Sequence, residues 1–342
     1  LLQAISAINV RFRENIIILI FGEPMKTILI AGGAGYIGSH VNHYLLKHGY
    51  ETVIVDNLST GHSQFLNGTH NYVLNLSDTD ELEQIFAHHA IDCVMHFAAN
   101  IVVPESVSDP GKYYNNNVFG LISLLEAMRK HDVKHIVFSS TAAIFGNPET
   151  IPIAEDAPQK PLNPYGWSKW MCERILWDYE TAWDIHSVAF RYFNACGRAS
   201  GTDLKELHDP ETHLIPIILE VMNGKREKLM IYGDDYDTPD GTCIRDYVHV
   251  LDLAQAHEKA LRFLEENQKS ERFNLGNGSG HSVNEVLKAV ESVFQCEIPH
   301  EITKRRAGDG DRLVADSRKA KSILGWEPVY SSIESIIETL KN

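Results

Sequence analysis

The sequence is short of cysteine, of positive charge and of long apolar runs, and each shortage excludes a class of protein. Its five cysteines (Cys93, Cys172, Cys196, Cys243, Cys296) are scattered, odd in number and without a CxxC pair. That excludes a disulfide framework and fits a reducing compartment, so the cytosol is the expected location. Lys and Arg number 31 against 46 Asp and Glu, a formal charge of -15. Bulk electrostatics therefore exclude nucleic acid and acidic membranes as partners, and an anionic ligand must find its own arginines. The apolar run at 16–21 falls far short of the roughly 20 residues of a membrane span, and it lacks a signal-peptide cleavage pattern. Repeats and low-complexity tracts are missing as well. Histidines are plentiful, but His88 with His89, His40 with His43 and His131 with His135 form no ligand set, so no metal is expected.

What is present is an alternation of short apolar strands and helices. Residues 1–24 are expected to be an upstream extension, with Met25 as the biological start, because Met25-Lys26-Thr27 opens directly into a buried-strand pattern. A strand over 27–31 runs into Gly32-Gly33-Ala34-Gly35-Tyr36-Ile37-Gly38, then a helix over 36–47 with Gly49 beyond its end, then a strand over 51–56 closed by Asp56. Glycines there let the backbone approach a pyrophosphate seated on the helix N-terminus, and an acid at the end of the second strand suits a ribose 2'-hydroxyl. Asp56 would repel a 2'-phosphate, which favours NAD over NADP. Further strands are expected at 71–76, 92–97, 135–139 and 186–192, with helices at 80–89 and from Asn115-Asn116-Asn117 to 130. Small residues after the fourth strand (Phe97, Ala98, Ala99) and hydroxyls after the fifth (Ser139, Ser140, Thr141) fall at the same sheet edge.

This spacing implies right-handed crossovers, hence an α/β doubly wound parallel sheet of Rossmann type. After Asn194 the pattern changes to a loop over 201–213, a helix over 214–222 and shorter strands such as 228–232. The expected division is 25–194 for the cofactor and 195–342 for a smaller, mixed α/β substrate domain.

The most telling stretch is Asn163-Pro164-Tyr165-Gly166-Trp167-Ser168-Lys169. Asn163 caps a helix and Pro164 occupies its first position, so Tyr165 and Lys169, four apart, share one face. Lowering a phenol from about 10 to about 7 with an adjacent cation is worth roughly 4 kcal/mol and makes Tyr165 a usable proton acceptor.

Taken with Asp56-Asn57-Leu58-Ser59-Thr60-Gly61, Arg191-Tyr192-Phe193-Asn194, the stretch Asp240 to Val250 and Arg305-Arg306-Ala307-Gly308-Asp309, these motifs make the chain resemble the extended short-chain dehydrogenases/reductases from Met25 to Asn342. Within them it is most similar to the UDP-glucose 4-epimerases. The resemblance implies that NAD+ stays bound while Tyr165 takes the proton of the sugar 4-hydroxyl and hydride leaves C4, and that the 4-keto sugar turns over and is reduced on its other face. It implies Lys169 and Thr141 as Tyr165's partners. It assigns Gly32, Gly35, Tyr36, Ile37, Gly38, Asp56, Asn57, Asn75, Leu76, Phe97, Ala98, Ala99, Asn116, Lys169 and Tyr192 to NAD. Thr141, Tyr165, Asn194, His213, Leu214, Arg245, Arg306, Asp309 and Leu313 go to the UDP-sugar, with Arg245 and Arg306 on the diphosphate.

Departures from the family pattern are Asn75 in place of a frequent Asp, Ile101 of a Lys, Phe145 of a Tyr, and Leu313 at the position tied to N-acetylated sugars. A 4,6-dehydratase would need an Asp-Glu pair where Ala142 and Ala143 stand. A homodimer through the helices 115–130 and 163–179 is what such relatives suggest.

Overall fold

Every residue of β1 (Thr27–Ala31) is buried, the mark of a strand covered on both faces. The computed structural model describes residues 25–305 and 310–341; the extension 1–24 and the expected ligands Arg306 and Asp309 lie outside the described residues. After β1 come α1 (Tyr36–Lys47), β2 (Glu51–Asp56), β3 (His70–Val73), α2 (Thr79–His88) and β4 (Cys93–His96). Two short helices, α3 (Val103–Ser108) and α4 (Pro110–Tyr113), lead through a π-helical turn (Tyr114–Phe119) into α5 (Gly120–Lys130), so the helix expected from Asn115 begins as a wider coil. Then follow β5 (His135–Thr141), α6 (Pro164–Trp183) and β6 (His186–Tyr192).

These strands form one parallel sheet in the order β3-β2-β1-β4-β5-β6, extended by a seventh strand described below. The order reverses between β1 and β4, which opens a crevice at their carboxyl ends. Alternation along β1 sends Ile28 and Ile30 to one face, against Val41 and Leu45 of α1, and Leu29 to the other, against Leu82, Leu124 and Leu176 of α2, α5 and α6. The two faces are therefore two separate cores.

The remaining elements are β7 (Asn194–Cys196), α7 (Leu214–Met222), β8 (Leu229–Tyr232), β9 (Ile244–His249), α8 (Val250–Asn267), β10 (Glu271–Leu275), β11 (Gly280–Ser282), α9 (Val283–Phe294), β12 (His300–Thr303), β13 (Arg312–Leu313), α10 (Arg318–Leu324) and α11 (Ile333–Glu338). Two elements beyond the expected boundary at Ala195, β10 and α8, belong to the layers of the large sheet. β10 pairs in parallel with β6 as the seventh strand of the large sheet, and α8 lays Leu253, Ala260 and Leu261 on the face that α1 covers. Without them β6 would be an open edge and half of that face would be bare. A third cluster, including Ile218, Ile231, Val290 and Ile336, gives the substrate side its own core, around the small sheet in which β9 takes β7, β11 and β13 as partners. Among the described residues no helix is long and apolar enough to cross a membrane.

Candidate active site

The crevice is shaped by two glycines. Gly32 follows β1 at φ +81°, and a Cβ on it would lie 2.5 Å from the amide nitrogen of Ala98; only glycine fits there. A Cβ on Gly38 would stand 2.2 Å from the Gly32 carbonyl oxygen, so α1 can pack this close only with glycine at that position. α1 begins after Gly35 with no side-chain cap and no acid in its first turn. Its first amide N–H groups and the positive end of its dipole are left for an anion.

Ten of the residues expected to hold the cofactor line one cavity at this edge: Gly32, Gly35, Asp56, Asn57, Asn75, Leu76, Phe97, Ala98, Ala99 and Asn116. Asp56 is buried and accepts from the Ala34 amide at 2.9 Å and the Leu58 amide at 2.8 Å. It braces the glycine loop and keeps lone pairs free on the cavity side. Asn57 donates to the Asn75 side-chain oxygen at 2.8 Å, which explains how an amide serves at 75: it ties the two rims together. An uncapped helix start, a carboxylate at the end of β2 and an apolar floor fit a dinucleotide. The structure places Tyr192 differently: its ring packs near Phe190 and its hydroxyl meets His257 Nε2 at 2.7 Å and Ser139 Oγ at 3.2 Å, inside the core. The Tyr36 hydroxyl donates to the Gly197 carbonyl at 2.6 Å, joining the loop to the substrate side. The motif reading passed over Asn117, which bridges the Asn100 backbone to Ser168 at 3.0 Å and so fixes α6 against the crevice; the Asn triplet was its signal.

α6 starts as expected, with the Asn163 side chain accepting from the Gly166 amide at 2.9 Å. Thr141, the last residue of β5, acts through its hydroxyl on the Tyr165 phenol. The lowering expected from Lys169 is not what the protein alone produces: burial raises the phenol above its ordinary value, and the Thr141 hydroxyl pulls it down only in part. Lys169 is itself buried, donates to the Ser139 carbonyl at 2.8 Å and lies over the Phe138 ring, and burial lowers its ammonium to about 8. Below them, buried Glu173 takes a bidentate pair of bonds from Arg191 at 3.0 and 2.8 Å and a short one from Ser140 at 2.5 Å, locking α6 to β5 and β6.

On the substrate side, Arg245 of β9 and Leu313 of β13 are register partners, and Leu313 packs with Phe193 against Ala142 and Phe145, next to Thr141. Asn194 donates to the Asp246 carbonyl at 3.1 Å. Asp246, unremarked within its motif, is fully buried and accepts from the Asn277, Gly278 and Ala315 amides at 2.9 to 3.0 Å. Burial pushes its carboxyl up to about 6 against those bonds. His213 precedes α7 and Leu214 opens it. The His213 imidazole faces Glu206 at 2.8 Å and Glu211 at 3.2 Å, with His208 beside them. Burial pulls both imidazoles down, but the two carboxylates outweigh it, raising His208 to about 9 and His213 to about 10.

The family described as GDP-mannose 4,6 dehydratase matches residues 29–340. The chain is similar to a UDP-glucose 4-epimerase of Halalkalibacterium halodurans, 50% identical over 91% of this chain and 93% of that one. Among solved structures, it resembles the UDP-glucose 4-epimerase of Brucella ovis in complex with NAD (44% identity, 92% and 97% covered, TM-score 0.89). It also resembles that of Bifidobacterium longum in complex with NAD+ and UDP (38% identity, 92% and 96% covered, TM-score 0.88).

Proposed function

We propose residue roles for a chain that belongs to the UDP-glucose 4-epimerases of the extended short-chain dehydrogenase/reductase family: it is an NAD-dependent isomerase that interconverts UDP-galactose and UDP-glucose, and Tyr165 is its base. The observation that carries the assignment of Tyr165 is its place on α6 one turn before the buried Lys169, whose ammonium is fixed at the Ser139 carbonyl of β5. Bound NAD+ supplies a hydride acceptor for the sugar C4 and a positive charge. Burial raises the phenol in the protein alone, and the charge of bound NAD+ would act together with that of Lys169 to lower it. Thr141 passes the proton between the sugar 4-hydroxyl and the phenol, its hydroxyl donating and accepting in turn. Lys169, held at the Ser139 carbonyl, keeps a cation behind the phenol.

Gly32, Gly38 and the first turn of α1 hold the cofactor's pyrophosphate, and Asp56 its ribose. Arg245, Asn194 and Leu214 would hold the UDP-sugar, with the expected ligand His213 turning its imidazole to Glu206 and Glu211 instead, and Leu313 would limit the room beside the sugar. Ala142 and Ala143 follow Thr141, where elimination of water would need an acid and a base; epimerisation needs no such pair there, only Tyr165. A homodimer through α5 and α6 is supported by the half-exposed Trp167, Met171 and Trp177 on α6 and Phe119 before α5, and light scattering would expose a monomer. Five free cysteines, three of them buried, support a cytosolic setting.

The test is turnover of UDP-galactose against UDP-N-acetylgalactosamine by purified protein without added NAD, with products separated by anion exchange. UDP-glucose is expected to form. Conversion of neither sugar, even with NAD supplied, overturns this substrate pair, and the ratio of the two rates reports on Leu313.

A further inference from the structure

Residues 206–213 carry five ligand-type side chains with no regular spacing, and the loop folds four of them, all but Asp209, onto one point. One donor atom from each of Glu206, His208, Glu211 and His213 lies within 4.8 Å of all the others. The nitrogen-to-oxygen separations around the group are 2.8 and 3.2 Å from His213 Nδ1 and 3.3 and 3.7 Å from His208 Nδ1. Four ligands held 2.0–2.1 Å from a central ion at tetrahedral angles stand about 3.3 Å apart along each edge. The four nitrogen-to-oxygen separations lie around that value, the two to Glu211 reaching different oxygens, and every pair in the group stands within 4.8 Å.

Two further features separate this group from an ordinary ion-pair cluster. The His208 Nδ1 is buried and meets the two carboxylates only at 3.3 and 3.7 Å, longer than a good hydrogen bond. Glu211 is anchored through Oε1, which accepts from the Thr212 amide at 2.8 Å and the His213 amide at 2.9 Å and faces His213 Nδ1, so that Oε2 is left toward His208. Such outer bonds are what orient ligands at metal centres.

We propose that Glu206, His208, Glu211 and His213 form a binding site for one divalent transition-metal ion, Zn2+ in the first instance. Two imidazoles with two carboxylates suit zinc better than calcium or magnesium, which prefer oxygen alone. Four protein ligands close the coordination shell, so the site is structural rather than catalytic. The ion clips the 201–213 loop to the start of α7, beside the Tyr36 hydroxyl's bond to Gly197.

The experiment is Zn2+ titration of EDTA-stripped full-length protein in competition with a chromogenic chelator, followed by thermal melts. The wild type is expected to take one Zn2+ per chain with a Kd of about 1 µM or tighter. Its melting temperature should rise roughly 5 °C at free Zn2+ about 100-fold above Kd. His208→Ala and the near-isosteric Glu206→Gln should each lose the site by about 100-fold in affinity, with weak binding at the other histidines unchanged. Absence of a stoichiometric site in the wild type, or equal binding in both variants, overturns the proposal and leaves an ion-pair cluster only. Should His208→Ala fail to fold, Glu206→Gln alone decides.

Discussion

The glycine edge and the 206–213 loop both hold polar atoms still in a partly dry setting, and they do so by opposite means. At the edge the chain offers backbone amides, small residues and a single carboxylate already tied to two N–H groups. In the loop it concentrates two carboxylates and two imidazoles within 4.8 Å. A ligand that brings its own charges is met by dipoles. Where the chain must pin its own backbone, it uses charges that satisfy one another. The reacting end, around Tyr165, stands between the two: one buried cation, one hydroxyl and a phenol that burial keeps protonated.

The sharpest way to break this division is at the phenol. Tyr165→Phe should lower kcat by about 10³-fold while the protein still carries NAD, measured by extracting and quantifying the cofactor. Turnover within tenfold of wild type would move the base elsewhere. Next in size is the dipole side. Gly38→Ala drives a methyl against the Gly32 carbonyl, an overpacking worth about 1–3 kcal/mol, or roughly 10- to 100-fold in cofactor retention. Unchanged retention would mean that the edge is more pliant than its contacts imply.

The third test contrasts the histidines in the metal-free protein. Burial holds His40 and His257 down to about 4 and His96 to about 3, below the ordinary value. Their contribution to stability is then complete above about 6.5 and is lost as pH falls toward 4. His208 and His213 are raised, so their contribution is complete below about 6.5 and is lost as pH rises through about 9 to 10. Imidazole NMR titration should therefore find His96 and His257 neutral and His208 and His213 protonated across pH 5 to 8. The smallest effect is expected from Thr141→Ser, which keeps the hydroxyl and should change kcat by less than about fivefold, about 1 kcal/mol.

How much of this was legible beforehand depended on how local each feature is. The Asn163 cap is fixed by Gly166 three residues on, the glycine turn and Asp56 belong to a motif readable by its spacing although Asp56 meets Ala34 from the next strand, and α7 starts and stops where its apolar pattern does. The Glu206 to His213 group was not legible, because its spacings match neither helix nor strand and convergence exists only after the loop folds. Nor was the state of the phenol: four residues between Tyr165 and Lys169 define a shared face, but the pKa depends on enclosure by residues far away in sequence. Asp246 lay in plain sight within a motif, yet its three amide donors come from turns at 277, 278 and 315.

β10 lay furthest from reach. Glu271-Arg272-Phe273-Asn274-Leu275 is short and half polar, and its partner is β6, with Val188 facing Glu271. During synthesis, β6 leaves the ribosome long before β10 exists. Until then its outer row of amides and carbonyls is unpaired, and the face awaiting α8 is bare hydrocarbon. The nascent chain therefore passes through a period in which its most adhesive surface is finished and uncovered. Order of translation, as much as final stability, is the hurdle this architecture sets, and a chain stopped after residue 195 would remain at that hurdle.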